Sequence, residues 1–194
     1  ATVHDCKVHF IINIDPVFGV DFTSQTDTKQ ALEKLIHAHN FTCEISTPEQ
    51  PCFFNATKTV LQKAAEYIEP HMGLLWFEDD KYFKQMIPFN NIINASTFYN
   101  EVHHFWKKAA KCPTFHPCLW GYTAATKYLF EAFKGTKQKD PEVVMMEYWR
   151  ARNTNDVQLL HYPNASKDQG KQWQLDNNIT KWRKAHVSGI VTYV

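Results

Sequence analysis

The seven residues Val8–Ile14 read Val-His-Phe-Ile-Ile-Asn-Ile, and Asp15-Pro16 follows them directly. A run this rich in β-branched and apolar side chains, closed by a turn dipeptide, predicts a buried strand. Helical periodicity follows. Residues 26–38 put Ala31, Leu32, Leu35 and Ile36 on one face behind Thr or Asp caps. Residues 57–68 repeat the pattern with Val60, Leu61, Ala64, Ala65 and Ile68, and Pro70 stops the helix. A short apolar strand is predicted over 72–77, after which Glu78-Asp79-Asp80 returns the chain to solvent.

Further on, residues 96–111 read as a helix, with Ser96 or Thr97 capping it and Glu101 near its first turn. Residues 122–134 carry Ala125, Leu129, Ala132 and Phe133 at helical spacing, with Gly135 as the stop. Residues 143–150 suit either a strand or a helix; Pro141 and Glu142 ahead of them favour a helix start. The segment 164–178 is polar and loop-like, and 186–194 suggests a terminal strand. No repeat, linker or low-complexity tract interrupts the chain. Helices interspersed with a few strands predict an α+β fold.

With 194 residues, 44% of them hydrophobic and 14% aromatic, residues 1–194 are read as one domain with a substantial core. No apolar run reaches the roughly 18 residues that span a bilayer, so no membrane partner is expected. Ala1 opens a chain that reads as mature, with any signal peptide already removed. Asn-x-Ser/Thr triplets occur at Asn40, Asn55, Asn94, Asn164 and Asn178. Twelve asparagines, in a chain about one-tenth serine and threonine, should give roughly one such triplet by chance. The excess points to a secreted, extracellular glycoprotein with all five asparagines at its surface.

Cysteine usage agrees with an oxidising compartment. Cys43 and Cys52 bracket one Pro-containing loop and Cys112 and Cys118 bracket another, spacings suited to local disulfides. The connectivity stays open, including a crossed Cys52–Cys112 pair. Cys6 is left over, either as a capped or buried thiol or as the link of a covalent homodimer. The formal net charge of +1 gives no broad basic field for nucleic acid, so any RNA binding is expected to be weak. Lys107, Lys108 and Lys111 cluster locally, as a solvated helix face commonly does.

Residues 104–112 read His-Phe-Trp-Lys-Lys-Ala-Ala-Lys-Cys. The frame His104, Trp106, Lys108 and Cys112 resembles the second active-site segment of the ribonuclease T2 family, His-Glu-Trp-x-Lys-His-Gly-Thr-Cys. The family's first segment, His-Gly-Leu-Trp-Pro, has its best counterpart in Gly73-Leu74-Leu75-Trp76-Phe77. The resemblance covers residues 7–17 and 71–134. It implies a central, mostly antiparallel sheet flanked by helices.

Family enzymes cleave RNA through attack of the 2′-hydroxyl. That chemistry needs a general base, a general acid and positive groups at the phosphorane. Carried over position by position, the resemblance implies that the catalytic groups are gone. Gly73 and Ala109 stand at the two histidine positions and Phe105 at the acid. It also implies a residual cleft of Trp76, His104, Trp106 and Lys108, with Lys108 the phosphate-facing cation. On a strand, His71 would share the face of Gly73 but sit about 7 Å away.

Blander readings stand beside these. A His103-His104 pair is commonly solvated or at a core edge, and Trp76 and Trp106 are commonly core residues. His37 and His39, with His103 and His104, could suggest a metal site, but His-x-His on a helix points the rings apart, so no zinc site is expected. No phosphate-binding glycine loop or nucleophile–base signature stands out, and no cofactor is expected.

The leading expectation is a non-catalytic ribonuclease T2-like protein, a pseudoenzyme kept for binding or structural work. Its partner would be a protein or small ligand. One alternative is an active phosphodiesterase with a rearranged site of His71, His104 and Lys108. Another is an unrelated extracellular ligand carrier, immune-modulating or storage glycoprotein.

Overall fold

A computed structural model describes residues 8–16, 23–78, 81–106, 112–113, 117–137, 139–152, 154–167 and 187–193. The elements are β1 (Val8–Ile14), α1 (Thr23–Ala38), β2 (Thr42–Ser46), α2 (Phe53–Tyr67), β3 (Gly73–Glu78), β4 (Lys81–Phe83) and α3 (Phe89–Ile93). After a 3₁₀ turn at Phe98–Asn100 come β5 (Glu101–Trp106), β6 (Cys118–Gly121) and α4 (Tyr122–Ala124). A π-helical stretch, Ala125–Phe130, continues α4; α5 (Pro141–Ala151), β7 (Gln158–Lys167) and β8 (Val187–Tyr193) complete the order.

The eight strands among the described residues join one sheet in the order β2-β1-β8-β3-β6-β5-β7-β4. The pairs β1–β2 and β5–β7 are parallel, while β1–β8, β3–β8, β3–β6, β5–β6 and β4–β7 are antiparallel. The sheet is therefore mixed and mostly antiparallel, and the α+β expectation holds.

Strand alternation separates two packed layers. Ile11, Leu74, Trp76, Cys118 and Trp120 join the large core with Val60, Leu61 and Ala64 of α2, Leu129, Phe133 and residues of α5. On the opposite face, Ile12, Ile14 and Ile36 form a small cluster under α1. Leu75, Phe105 and Leu119 form a second one with Phe98, against which α3 packs. Phe10 and Leu75 both register to position 191 of β8, which puts these two clusters on one side of the sheet.

The two long helices are where the apolar spacing predicts them, with α2 beginning at Phe53 rather than at 57. Not every stripe residue is buried: Leu35 is 57% exposed, and Ala65 faces outward from α2. The start of α1 is fixed instead by Gln25, whose amide donates to the Ile14 carbonyl at 2.6 Å and the Pro48 carbonyl at 3.2 Å. Residues 143–150 resolve as helix α5. Pro141 opens it and the Asp140 carboxylate accepts from the Glu142 and Val143 amides, which satisfies N-terminal donors the helix cannot. Gly135 ends its helix at φ +65°, a conformation costly for other residues.

Two expectations are corrected. Residues 96–111 do not form a helix: the chain makes a 3₁₀ turn and then β5. Glu101 through Phe105 are all buried between β6 and β7. A strand hydrogen-bonded on both edges and covered on both faces shows no alternation to read, and its pairing overrides local helix signals. Residues 164–167, expected in a loop, belong to β7, which pairs with β5 on one side and β4 on the other. The rest of that polar segment lies outside the described residues.

Candidate functional site

The sheet places four chemistry-bearing residues in one transverse row. Trp76 on β3 registers to Cys118 on β6, Cys118 to His104 on β5, and His104 to His161 on β7. At about 4.8 Å per strand, Trp76 and His104 are about 10 Å apart, with Cys118 between them. The row belongs to the α2 side and is closed. Trp76 and His104 are each 1% exposed and Cys118 is fully buried. His104 stacks on His161 at 5.6 Å between ring centroids. His161 donates from Nε2 to the Trp106 carbonyl at 2.8 Å, which fixes its tautomer.

Of the three expected cleft residues that are described, Trp76 and His104 come together and Trp106 does not. The register shifts between His104 and Trp106, and Trp106 packs with Phe105 and Ala165 on the other side of the sheet. This bulge breaks the alternation that would have returned Trp106 to the face of His104. Lys108 lies outside the described residues, as do Lys107, Lys111, Ala109, Cys6 and Asn178.

The two other substituted positions are enclosed. A Cβ added at Gly73 would lie 3.0 Å from the Phe98 ring, so the turn before β5 occupies the space a histidine would need. Phe105 is 1% exposed, with Phe83 at 5.4 Å and Phe89 at 6.1 Å in edge-on contacts. The rearranged site is not assembled either. His71 is 61% exposed beside Glu69, on the turn before β3. Five residues of extended chain, about 16 Å, separate it from the row that contains His104.

A second cluster, on the opposite face, is one the sequence reading missed. Thr97 donates its hydroxyl to Glu101 Oε1 at 2.6 Å, and Glu101 Oε2 meets His103 Nε2 at 2.7 Å. The two side chains are only 11% and 4% exposed. Tyr162 stacks on the imidazole at 5.5 Å and 6°, and Phe98 contacts it at 5.8 Å. An ionised carboxylate only accepts, so Nε2 carries the proton and Nδ1 presents a lone pair, buried and without a hydrogen-bond partner. Burial holds the His103 pKa below its ordinary value, with the carboxylate of Glu101 pulling the other way. The signal was the spacing: residues two apart share a face on a strand and diverge on a helix.

A third polar group sits at the end of β1. Buried Asn13 donates to Asp15 at 2.7 Å and accepts from the Ser46 hydroxyl at 3.0 Å, so these groups satisfy one another.

No protein-family model, no curated protein and no solved structure matches this chain.

Cys43 and Cys112 are free thiols. Cys43 lies opposite Phe10 in the cluster under α1, while Cys52 packs against the α2-side core. The sheet thus separates the pair that loop length had suggested. Cys112 and Cys118 share the large core. Burial raises the pKa of Cys43 and of Cys112, which makes each a poorer nucleophile. Among the described residues, no group of three His, Cys, Asp or Glu side chains could hold a metal ion. No helix among them is long and apolar enough to cross a membrane.

Three asparagines of the sequons, Asn40, Asn55 and Asn94, are exposed. Asn164 is half-buried, and its carboxamide bridges to the Gln85 backbone, accepting at 2.9 Å and donating at 3.4 Å. Thr57, the hydroxyl residue of the Asn55 sequon, is fully buried.

Proposed function

We propose that this chain is a secreted, N-glycosylated protein that binds a partner or ligand and performs no catalysis of its own. The observation that carries the reading is the enclosure of His104. An acid or base must reach the proton it moves, and this imidazole is 1% exposed inside a closed row. The enclosed Gly73 and Phe105 positions support the same reading. Descent from a ribonuclease T2 scaffold is a finer part of the proposal. It is supported by the four-residue frame and the strand at Gly73–Glu78, while the strand Glu101–Trp106 counts against it where that descent calls for a helix.

RNA incubated with the pure protein between pH 4 and pH 8 is expected to remain intact. Turnover that disappears in His104→Ala would overturn the non-catalytic reading.

Secretion carries its own test. Peptide mapping of protein expressed through the secretory pathway should find glycans at Asn40, Asn55 and Asn94, with lower occupancy at Asn164, whose amide is already engaged. Because Thr57 is buried, oligosaccharyl transfer to Asn55 is expected only before α2 packs. Folded, unglycosylated protein offered to the transferase should stay unmodified there. Absence of glycan from all the mapped sites would sink the secretory assignment.

A further inference from the structure

One groove on the surface lies apart from the row and the histidine pair. It lies between α2 and the helix that follows β6, encloses about 610 Å³, and falls in the size range of small-molecule sites. Ala65 supplies exposed apolar surface, and the buried Leu61, Phe130 and Phe133 lie beneath and beside it. Lys58, Leu61, Gln62, Ala65 and Glu66 come from α2 at spacings of three and four residues, so they form one continuous stripe along the helix. Outward-facing Ala65 is explained by this placement: a small side chain there keeps the groove open.

The charges at the two ends differ. Phe133 packs on Phe54 at 6.0 Å, which places the end of the second helix, with Lys134, near the start of α2 and Lys58. Lys134 is paired with Glu131, whereas Lys58 forms no ion pair among the described residues. Glu66 lies eight residues further along α2, about 12 Å away. The groove therefore has a cationic end, an apolar middle and an anionic far end. A third observation is independent of the charges. Phe130, one wall, closes the six-residue π-helical stretch Ala125–Phe130. π-helical turns are rare and concentrate at functional sites.

We propose that this groove binds a small amphipathic carboxylate, its head at Lys58 and its aliphatic tail along Ala65 and Phe130. An anionic head at the opposite end would meet Glu66, which fixes the orientation. The proposal rests on the binding reading given above and names the site and the ligand class for it.

Calorimetric titration of the full chain with decanoate tests it, with decylammonium as the charge-reversed probe. Decanoate is expected to bind one to one, at least tenfold more tightly than decylammonium. Lys58→Glu should weaken decanoate about tenfold, and Ala65→Trp, which fills the groove from an exposed position, should abolish binding. Lys29→Glu, on α1, should change nothing. No binding by the parent chain, or equal binding by Ala65→Trp, overturns the site; equal affinity for the two probes overturns the charge assignment. The RNA assay separates the two proposals: intact RNA with no decanoate binding removes only the groove. Cleaved RNA with decanoate bound removes only the non-catalytic reading.

Discussion

Gly121→Ala is expected to destabilise the protein by about 3 kcal/mol or more, at the upper end of the range for overpacking. A Cβ at this position would lie 1.9 Å from the Phe98 carbonyl oxygen and 2.7 Å from the carbonyl carbon and Cα of Tyr99. These are main-chain atoms of the 3₁₀ turn that leads into β5, so no rotamer change can relieve the contact. Gly121 also closes the β3–β6 ladder opposite Gly73, and α4 starts at the next residue. The turn cannot retreat without pulling on β5, and β6 cannot retreat without opening the ladder. For a chain of this length, about 3 kcal/mol corresponds to a fall in Tm of about 6 to 12 °C. Gly135→Ala is the control. Nothing lies within 4 Å of its Cβ, and only the φ of +65° opposes it, at about 1 to 2 kcal/mol. A Gly121→Ala protein that melts with the parent would show that β6 and the turn at Phe98–Asn100 do not touch as described.

The same turn explains where the sequence was legible and where it was not. Helices α1 and α2 were readable because each has one covered face, and a single covered face leaves a period of 3.6. β1 was readable from its uninterrupted β-branched run. β5 was misread because Thr97 followed by Glu101 imitates a helix start, whereas in the fold the Thr97 hydroxyl bonds the Glu101 carboxylate across the turn. β2, β4 and β6 are five, three and four residues long, too short to reveal any period before the sheet pairs them. The consequence for the site is direct. Once residues 101–106 are a strand, His103 and His104 point to opposite faces, and each finds different partners. His104 joins Trp76 and Cys118 in the core row, a juxtaposition that depends on pairings between strands far apart in sequence. His103 joins Glu101, and that pair was readable only to someone who already knew the strand.

The Glu101–His103 pair should control the acid stability of the fold. Glu101→Ala removes the acceptor of the buried His103 Nε2 and of the Thr97 hydroxyl, which lies at the surface. Hydrogen bonds to charged groups contribute about 1.5 to 3 kcal/mol, and the imidazole is neutral, so a loss of about 2 to 3 kcal/mol is expected. Glu101→Gln keeps an acceptor oxygen and should cost less at neutral pH. The two variants then separate under acid. Burial lowers the His103 pKa in the folded chain, while in the unfolded chain it stays near 6.5. As pH falls through about 6.5, the unfolded state takes up a proton that the folded state refuses, and stability declines. Among the described residues, Glu101 is the one group that raises the folded pKa, through its hydrogen bond and its charge. Glu101→Gln therefore pushes that value lower and carries the decline to more acidic pH. His9, also lowered by burial and partly offset by Glu44, adds a decline of its own, which the comparison of parent and variant subtracts. Urea midpoints at pH 7.5, 6.5 and 5.5 should fall more steeply in Glu101→Gln than in the parent. Parallel curves would mean that the imidazole is solvated, and Tyr162, 45% exposed and stacked across it, would then be no cover at all.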